Sequence, residues 1–209
     1  MLSSLASELE IIAFETPGLH TKDCTGHYDK LINEIVVDTG LGHLTIYPAA
    51  RAKKIFASGC TNCCLSAVNM NPNFYDYTNE YVETLPMSTV KVYIFTAQGT
   101  KPLKSLDELK SKVVGTRRGI PYGKRFEQVK LNLSIVDSIK QNILKLDRGR
   151  IDAFVAYVPD AYHVFKELGR KPYPHDVSHP IAVHNDNLVC RGVSQSFIDT
   201  FNKKLQNIK

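Results

Sequence analysis

Val113-Val-Gly-Thr-Arg-Arg-Gly-Ile-Pro-Tyr-Gly123, framed by Lys101-Pro-Leu-Lys-Ser-Leu-Asp-Glu-Leu109 and Arg148-Gly-Arg-Ile-Asp-Ala-Phe-Val-Ala-Tyr157, decides the fold. Val113 and Val114 open a strand that ends at Gly115. Arg117-Arg118-Gly119 makes the loop, and a helix is expected to start near Pro121 or Tyr122. A strand that runs through a glycine-bearing turn into a helix presents free backbone N–H groups, where an anionic or polar group can dock. Upstream, Ser105 and Glu108 form a capping box for a short helix with Leu106 and Leu109 on one side. Downstream, Leu133–Val136 reads as a strand. Ser138 and Gln141 then cap a helix that carries Ile139, Ile143 and Leu146 on one face and closes at Gly149. Ile151–Tyr157 is a third strand, and Pro159 suits the first turn of the helix after it. Strand and helix alternate, which implies a parallel sheet with helices on its faces.

The same alternation extends in both directions. Leu9–Phe14 is a buried strand, with Glu15-Thr-Pro-Gly18 as the loop at its carboxyl end. Leu31, Ile32, Ile35 and Val36 follow helical spacing from Tyr28, and Gly40 stops that helix. Leu44–Tyr47 is a short strand. Pro48 starts a helix that buries Ala52, Ile55 and Phe56 and ends at Gly59. Cys63–Val68 is a compact apolar strand, and the polar and aromatic segment from Asn69 to Tyr81 is loop. Val90–Thr96 is another strand. Lys171-Pro-Tyr-Pro-His175 begins the return path, Ile181–His184 is a strand, Asn185-Asp-Asn187 is a turn, and Val193, Phe197, Phe201 and Leu205 mark a last amphipathic helix. There is no internal repeat or low-complexity segment.

Together the capped helix, the Val-Val-Gly strand, Arg118-Gly-Ile-Pro-Tyr-Gly123 and Gly149-Arg-Ile-Asp-Ala153 resemble the second lobe of family 3 bacterial solute-binding proteins. These are the extracytoplasmic receptors of polar amino-acid ABC importers. Tyr47-Pro-Ala-Ala-Arg-Ala-Lys-Lys-Ile-Phe-Ala-Ser-Gly59 is similar to a first-lobe helix in one branch of that family. The resemblance implies an α/β, two-lobed, type II periplasmic binding fold with two hinge crossings. Lobe 1 is expected over residues 1–92 plus 182–209, and the inserted lobe 2 over 93–181. It further implies a monomeric, non-enzymatic protein of the periplasm that closes on a small polar or anionic, amino-acid-like ligand in the cleft between its lobes and hands it to a membrane ABC permease. Hinge closure is the motion such a pair of lobes supports.

In open α/β sheets ligands sit beyond the carboxyl ends of the strands. That rule selects Glu15, Tyr47, the Ser66-Ala67 to Asn69 segment, Arg117, Gly119, Tyr122 and Tyr157. Arg117 and Arg118 both suit a carboxylate, because a guanidinium makes charge-assisted and often paired bonds, and the resemblance favours Arg117. Glu15 suits an amine, and Ser66 and Asn69 offer hydrogen bonds. Gly119 lets the backbone approach the ligand. Phe74, Tyr122 and Tyr157 are candidates to stack on it, although aromatic side chains more often belong to a core. Two departures from the family pattern bear on the ligand. The loop Asn69-Met-Asn-Pro-Asn-Phe-Tyr75 lacks the arginine that clamps an α-carboxylate, and Tyr157 stands where an aspartate receives the α-amino group.

Twenty-six Lys and Arg against 21 Asp and Glu give a formal net charge of +5. The basic residues look scattered, and no nucleic-acid module is recognisable, so no nucleic-acid partner is expected. No run is long enough to cross a bilayer. Met1-Leu-Ser-Ser-Leu-Ala-Ser7 lacks the basic start and apolar core of an intact signal peptide, and the resemblance implies a precursor with an export signal. Of the five cysteines, Cys24 and Cys63 are the pair the family points to first; Cys190 with Cys60 or Cys64 is a second possibility. No cofactor or metal is expected, because Cys60-x-x-Cys63-Cys64 lacks a second ligand pair at zinc spacing. Two other functions remain open on the same fold: the ligand-sensing domain of a membrane signalling receptor, and a dehydratase-like enzyme with Glu15 as its acid or base.

Overall fold

The computed structural model describes residues 8–208; the reading of Met1–Ser7 lies outside them. In chain order the strands are β1 (Leu9–Phe14), β2 (Gly42–Tyr47), β3 (Cys63–Val68), β4 (Tyr81–Glu83), β5 (Ser88–Thr96), β6 (Val113–Arg117), β7 (Asn132–Val136), β8 (Ala153–Val158) and β9 (Ala182–Arg191). The helices are α1 (His27–Ile32), α2 (Ala49–Ala57), α3 (Lys124–Gln128), α4 (Ile139–Asp147), α5 (Asp160–Glu167) and α6 (Gln195–Ile208). The fold is α/β, with mixed sheets flanked by helices.

The chain divides into two compact units. One holds the residues through Ser88 and those from Asn185 on; the other is Thr89–His184. In the first unit β2, β1 and β3 run parallel, and β9 joins β3 antiparallel, with β4 also on β9. Its core gathers Ile11, Tyr28, Ile32, Ile35, Leu188 and Phe201, so the sheet is buried under α1 and α6. α1 passes directly into a turn of π-helix, Asn33–Val37, which keeps Ile35 and Val36 on the buried side. In the second unit the order is β5-β8-β6-β7, with β6 parallel to both β7 and β8 and β5 antiparallel to β8. Apolar clusters cover both faces of that sheet. Phe95, Ile143, Phe154 and Phe165 lie on one, and Val92, Leu109, Tyr122 and Phe126 on the other.

α4 is held as its sequence predicts: the Ser138 hydroxyl accepts from the Gln141 N–H at 3.2 Å, and the Gln141 side chain accepts from the Ser138 N–H. It lies against β6 because residue 115 is glycine. A Cβ there would collide with the Asn142 amide and come within 2.7 Å of the Ile151 methyl.

Several expectations need correction. The Ser105–Glu108 pair flanks only a single 3-10 turn, Asp107–Leu109, and forms half of the expected box: Glu108 reaches back to accept from the Lys104 and Ser105 N–H groups, but the serine hydroxyl donates to the same carboxylate instead of accepting from a backbone N–H. The helix after the arginine loop starts at Lys124 rather than Pro121 or Tyr122, because Gly123 takes φ 96° just before it. Asn185–Asn187 is no turn. β9 continues through it: Asn187 lies opposite Val68 of β3, and the Asp186 carbonyl accepts from the Met87 N–H at 2.8 Å.

The expected Cys24–Cys63 disulfide is absent. Cys63 bonds Cys60, Cys64 bonds Cys190, and Cys24 is free. The reason is register. Cys64 sits opposite Cys190 in the β3–β9 ladder, with Cα atoms 3.9 Å apart, while Cys63 points to the other face of the strand and meets Cys60.

Candidate functional site

In the first unit the parallel register brings three strand tips together. Phe14 pairs with Tyr47 and Ala13 with Ser66, so Glu15, Tyr47 and Ser66-Ala67 end the sheet side by side. The Glu15 N–H continues the ladder by donating to the Tyr47 carbonyl at 2.9 Å. The Glu15 carboxylate is half-exposed, 3.8 Å from the Lys22 ammonium. Tyr47 lies under the Arg51 guanidinium, 5.1 Å from the ring centre. Asn69 is buried: its amide donates to the Asn185 carbonyl at 2.7 Å and its oxygen accepts from the Asn71 N–H, which shapes the loop. Phe74 is half-buried in the turn closed by its N–H on the Asn71 carbonyl. Beyond it Tyr75 and Tyr77 stack at 5.5 Å, and burial holds both phenols neutral by pushing their pKa values up.

Behind these tips lies a group that the sequence does not announce. Asp29 Oδ1 and His20 Nδ1 are 2.6 Å apart, and His20 Nε2 and the Ser66 hydroxyl are 2.8 Å apart; all three residues are fully buried. The other Asp29 oxygen accepts from the backbone N–H groups of Thr21 and Gly26 and from the Thr21 hydroxyl. Burial opposes the charge on Asp29, but these donors and the His20 ring outweigh it and hold the carboxyl below its ordinary range. With Asp29 ionised, His20 Nδ1 carries a proton. A neutral ring then leaves Nε2 as an acceptor, and Ser66 donates to it. Order Asp–His–Ser is that of a hydrolytic triad, but with its serine sealed from solvent this group works as a fastener that fixes the tip of β3. Nine residues separate His20 from Asp29 and 46 separate His20 from Ser66, so no local spacing signals the group.

In the second unit β6 and β8 are parallel, and continuing their register puts Arg117 and Tyr157 at the same, carboxyl end. Arg117 is half-buried and its Nε donates to the Asp137 carbonyl at 3.3 Å. The neighbouring Arg118 is exposed and pairs with the Asp137 carboxylate at 2.9 Å. Gly119 takes φ 75°, a conformation that suits glycine in a tight loop. The two tyrosines brace this loop from below. Tyr122 is buried, with its oxygen accepting from the Arg117 N–H at 3.0 Å, and burial pushes its phenol up to about 12. Tyr157 donates to the Pro121 carbonyl at 2.7 Å, and the two rings lie 5.9 Å apart, nearly parallel. Their phenol groups are thus tied to the backbone of the arginine loop. Among the described residues no group of three or more His, Cys, Asp or Glu could hold a metal ion, and no helix is long and apolar enough to cross a membrane.

No protein-family profile matches the chain, and no curated protein matches its sequence. Solved structures do match. The GluR0 ligand-binding core in complex with L-glutamate superposes with a TM-score of 0.78 at 12% identity, covering 98% of this chain and 93% of that one. The likeness extends over nearly the whole of both chains. The GluR0 ligand-binding core from Nostoc punctiforme, also with L-glutamate, gives 0.77 at 17% identity over 96% of this chain and 92% of its own. The substrate-binding protein of an amino acid ABC transporter gives 0.69 at 14% over 96% and 92%. At these identities the likeness concerns the fold.

Proposed function

We propose that this protein is an extracytoplasmic solute-binding protein, whose strand-tip loops grip a small polar or anionic, amino-acid-like molecule for delivery to an ABC importer. The observation that carries the reading is the fold. It is shared over nearly the whole chain with ligand-binding cores solved with L-glutamate and with a transporter's substrate-binding protein. Arg117 would pair a carboxylate, Glu15 an amine, and the Gly119 backbone would lie against the ligand. Tyr122 and Tyr157 keep the arginine loop in place. Asn69 and Phe74 shape the loop that follows β3, and Ser66 and Ala67 set the tip of that strand. Two disulfides favour an oxidising, exported location such as the periplasm.

A thermal-shift screen over amino acids, small carboxylates and amines tests this. A binder at a hundredfold excess over its Kd stabilises the native state by about 2.7 kcal/mol. Arg117→Ala should abolish the shift caused by carboxylate-bearing hits, and Glu15→Gln the shift caused by amines. Folded protein that responds to nothing in the screen would defeat the proposal.

The likeness to the two GluR0 ligand-binding cores favours a second reading, a ligand-sensing domain of a membrane signalling receptor. A membrane span and an output domain encoded in the same gene would decide for it.

A further inference from the structure

We propose that the outer edge of β7 is a docking strand for an acidic, extended segment of a partner protein. Strand β7 ends the sheet of the second unit and, among the described residues, pairs only with β6. Its main-chain N–H and C=O groups on the other side are a template for one more strand. Edges of this kind are ordinarily blunted by a charge or a proline within the strand. Asn132-Leu-Ser-Ile-Val136 has neither. Leu133 is 43% exposed and Ile135 50%, and being two apart they share one face.

The surroundings define the partner's charge. A groove of about 400 Å³ opens between the end of β7 and α4, with Val136 and Leu144 in its wall and Arg118, Lys145, Arg148 and Arg150 around it. Asp137 is the one acid that lines it, and Arg118 already pairs with that carboxylate. The Lys145 ammonium donates to the Ser134 hydroxyl, which places a positive charge over the strand. Arg148 and Arg150 are exposed on either side of Gly149, whose φ of 62° turns the chain out of α4. The run Arg148-Gly-Arg-Ile-Asp152 therefore supplies two cations to this rim as well as leading into β8.

Charge is also distributed unevenly between the units. Thr89–His184 carries 17 Lys and Arg against nine Asp and Glu, a net +8, while the rest of the chain carries nine against 12, a net −3. The whole-chain value of +5 conceals this difference. A second copy pairing through β7 would bring two such rims together, and their repulsion opposes it. A nucleic acid would match the charge, but no aromatic side chain lines the groove to stack a base, and an open strand edge is the complement of a peptide backbone.

The experiment uses the full chain and two synthetic eight-residue peptides, one alternating glutamate with valine and one alternating lysine with valine. Binding is followed by fluorescence anisotropy at physiological salt, and amide hydrogen exchange locates the contact. The acidic peptide should bind and slow exchange within residues 132–136, and the basic one should not bind. Arg148→Glu with Arg150→Glu should weaken binding at least tenfold, and so should Ile135→Glu, which puts a charge on the edge that repels the acidic peptide. Lys166→Glu with Lys171→Glu removes the same charge elsewhere in the unit and should change the affinity less than twofold. No binding of the acidic peptide at millimolar concentration overturns the proposal. So does equal weakening by the Lys166/Lys171 variant, protection elsewhere in the chain, or displacement of the bound peptide by an equimolar 20-base-pair DNA duplex.

Discussion

His20 shows how one side chain can set the geometry of a strand tip. It joins a loop residue, Asp29 at the start of α1 and Ser66 at the end of β3. Removing it leaves a buried carboxylate and a buried hydroxyl without that partner, and each buried polar group left unsatisfied costs about 1–3 kcal/mol, more where it is charged. His20→Ala should therefore lower the unfolding free energy measured by urea denaturation by about 2–4 kcal/mol, whereas an equally buried His→Ala change away from a carboxylate would cost less. The pH dependence follows from Asp29. Its carboxyl is depressed in the folded protein, so its contribution is complete above the unfolded value of about 3.9 and is lost as pH falls through the lower folded value. Asp29→Asn should destabilise at pH 7 and flatten the loss of stability as pH falls below about 4, measured by denaturation at each pH. Such a group is unreadable from sequence. A histidine in a loop and an aspartate in a first helical turn each have ordinary local explanations, and only the fold brings them to the same serine.

Elements with a strong local signal were legible, and those defined by a neighbour were not. β1 and the capped helix α4 announce themselves by apolar pattern and capping residues. β9 did not: Asn185-Asp-Asn187 has turn composition, yet Asn187 lies opposite Val68 in a continuous strand, and its amide donates to the Thr84 carbonyl at 2.8 Å. β4 is too short to carry a period and exists because β9 offers an edge. Cys63 failed in the same way, since its partner depends on the strand face it occupies, whereas Cys64–Cys190 was one of the two alternatives open for Cys190. The candidate loops were legible by a rule about strand ends, but the supporting roles of Tyr122 and Tyr157, tied by their hydroxyls to the arginine loop, required coordinates. At this scale the contact between α4 and β6 makes a sharp prediction. Gly115→Ala would force Asn142 and Ile151 away from the sheet, and overpacking of this kind costs about 1–3 kcal/mol. The thermal midpoint should fall, and Gly115→Ala combined with Asn142→Ala should recover part of the loss, because the smaller side chain vacates the space.

Across the whole molecule the two disulfides have unequal consequences, set by how much chain each one closes. Cys60 and Cys63 are three residues apart, while Cys64 and Cys190 are 126 apart, a loop that contains all of Thr89–His184. In the chain-entropy account the cost of closing a loop grows with the logarithm of its length, which gives about 2 kcal/mol for the short loop and about 5 kcal/mol for the long one. The long link also ties β3 to β9 next to the strand tip that carries Ser66, so its loss bears on the candidate site as well as on stability. Cys64→Ala with Cys190→Ala should accordingly lower the urea midpoint of the first unit far more than Cys60→Ala with Cys63→Ala, under non-reducing conditions. Amide exchange at residues 63–68 separates this from a general loosening, because protection should fall there and at residues 188–191 while residues 139–147 of α4 keep theirs. Equal effects of the two double variants would mean that local packing around the cysteines, and not closure of the long loop, governs how the first unit holds together.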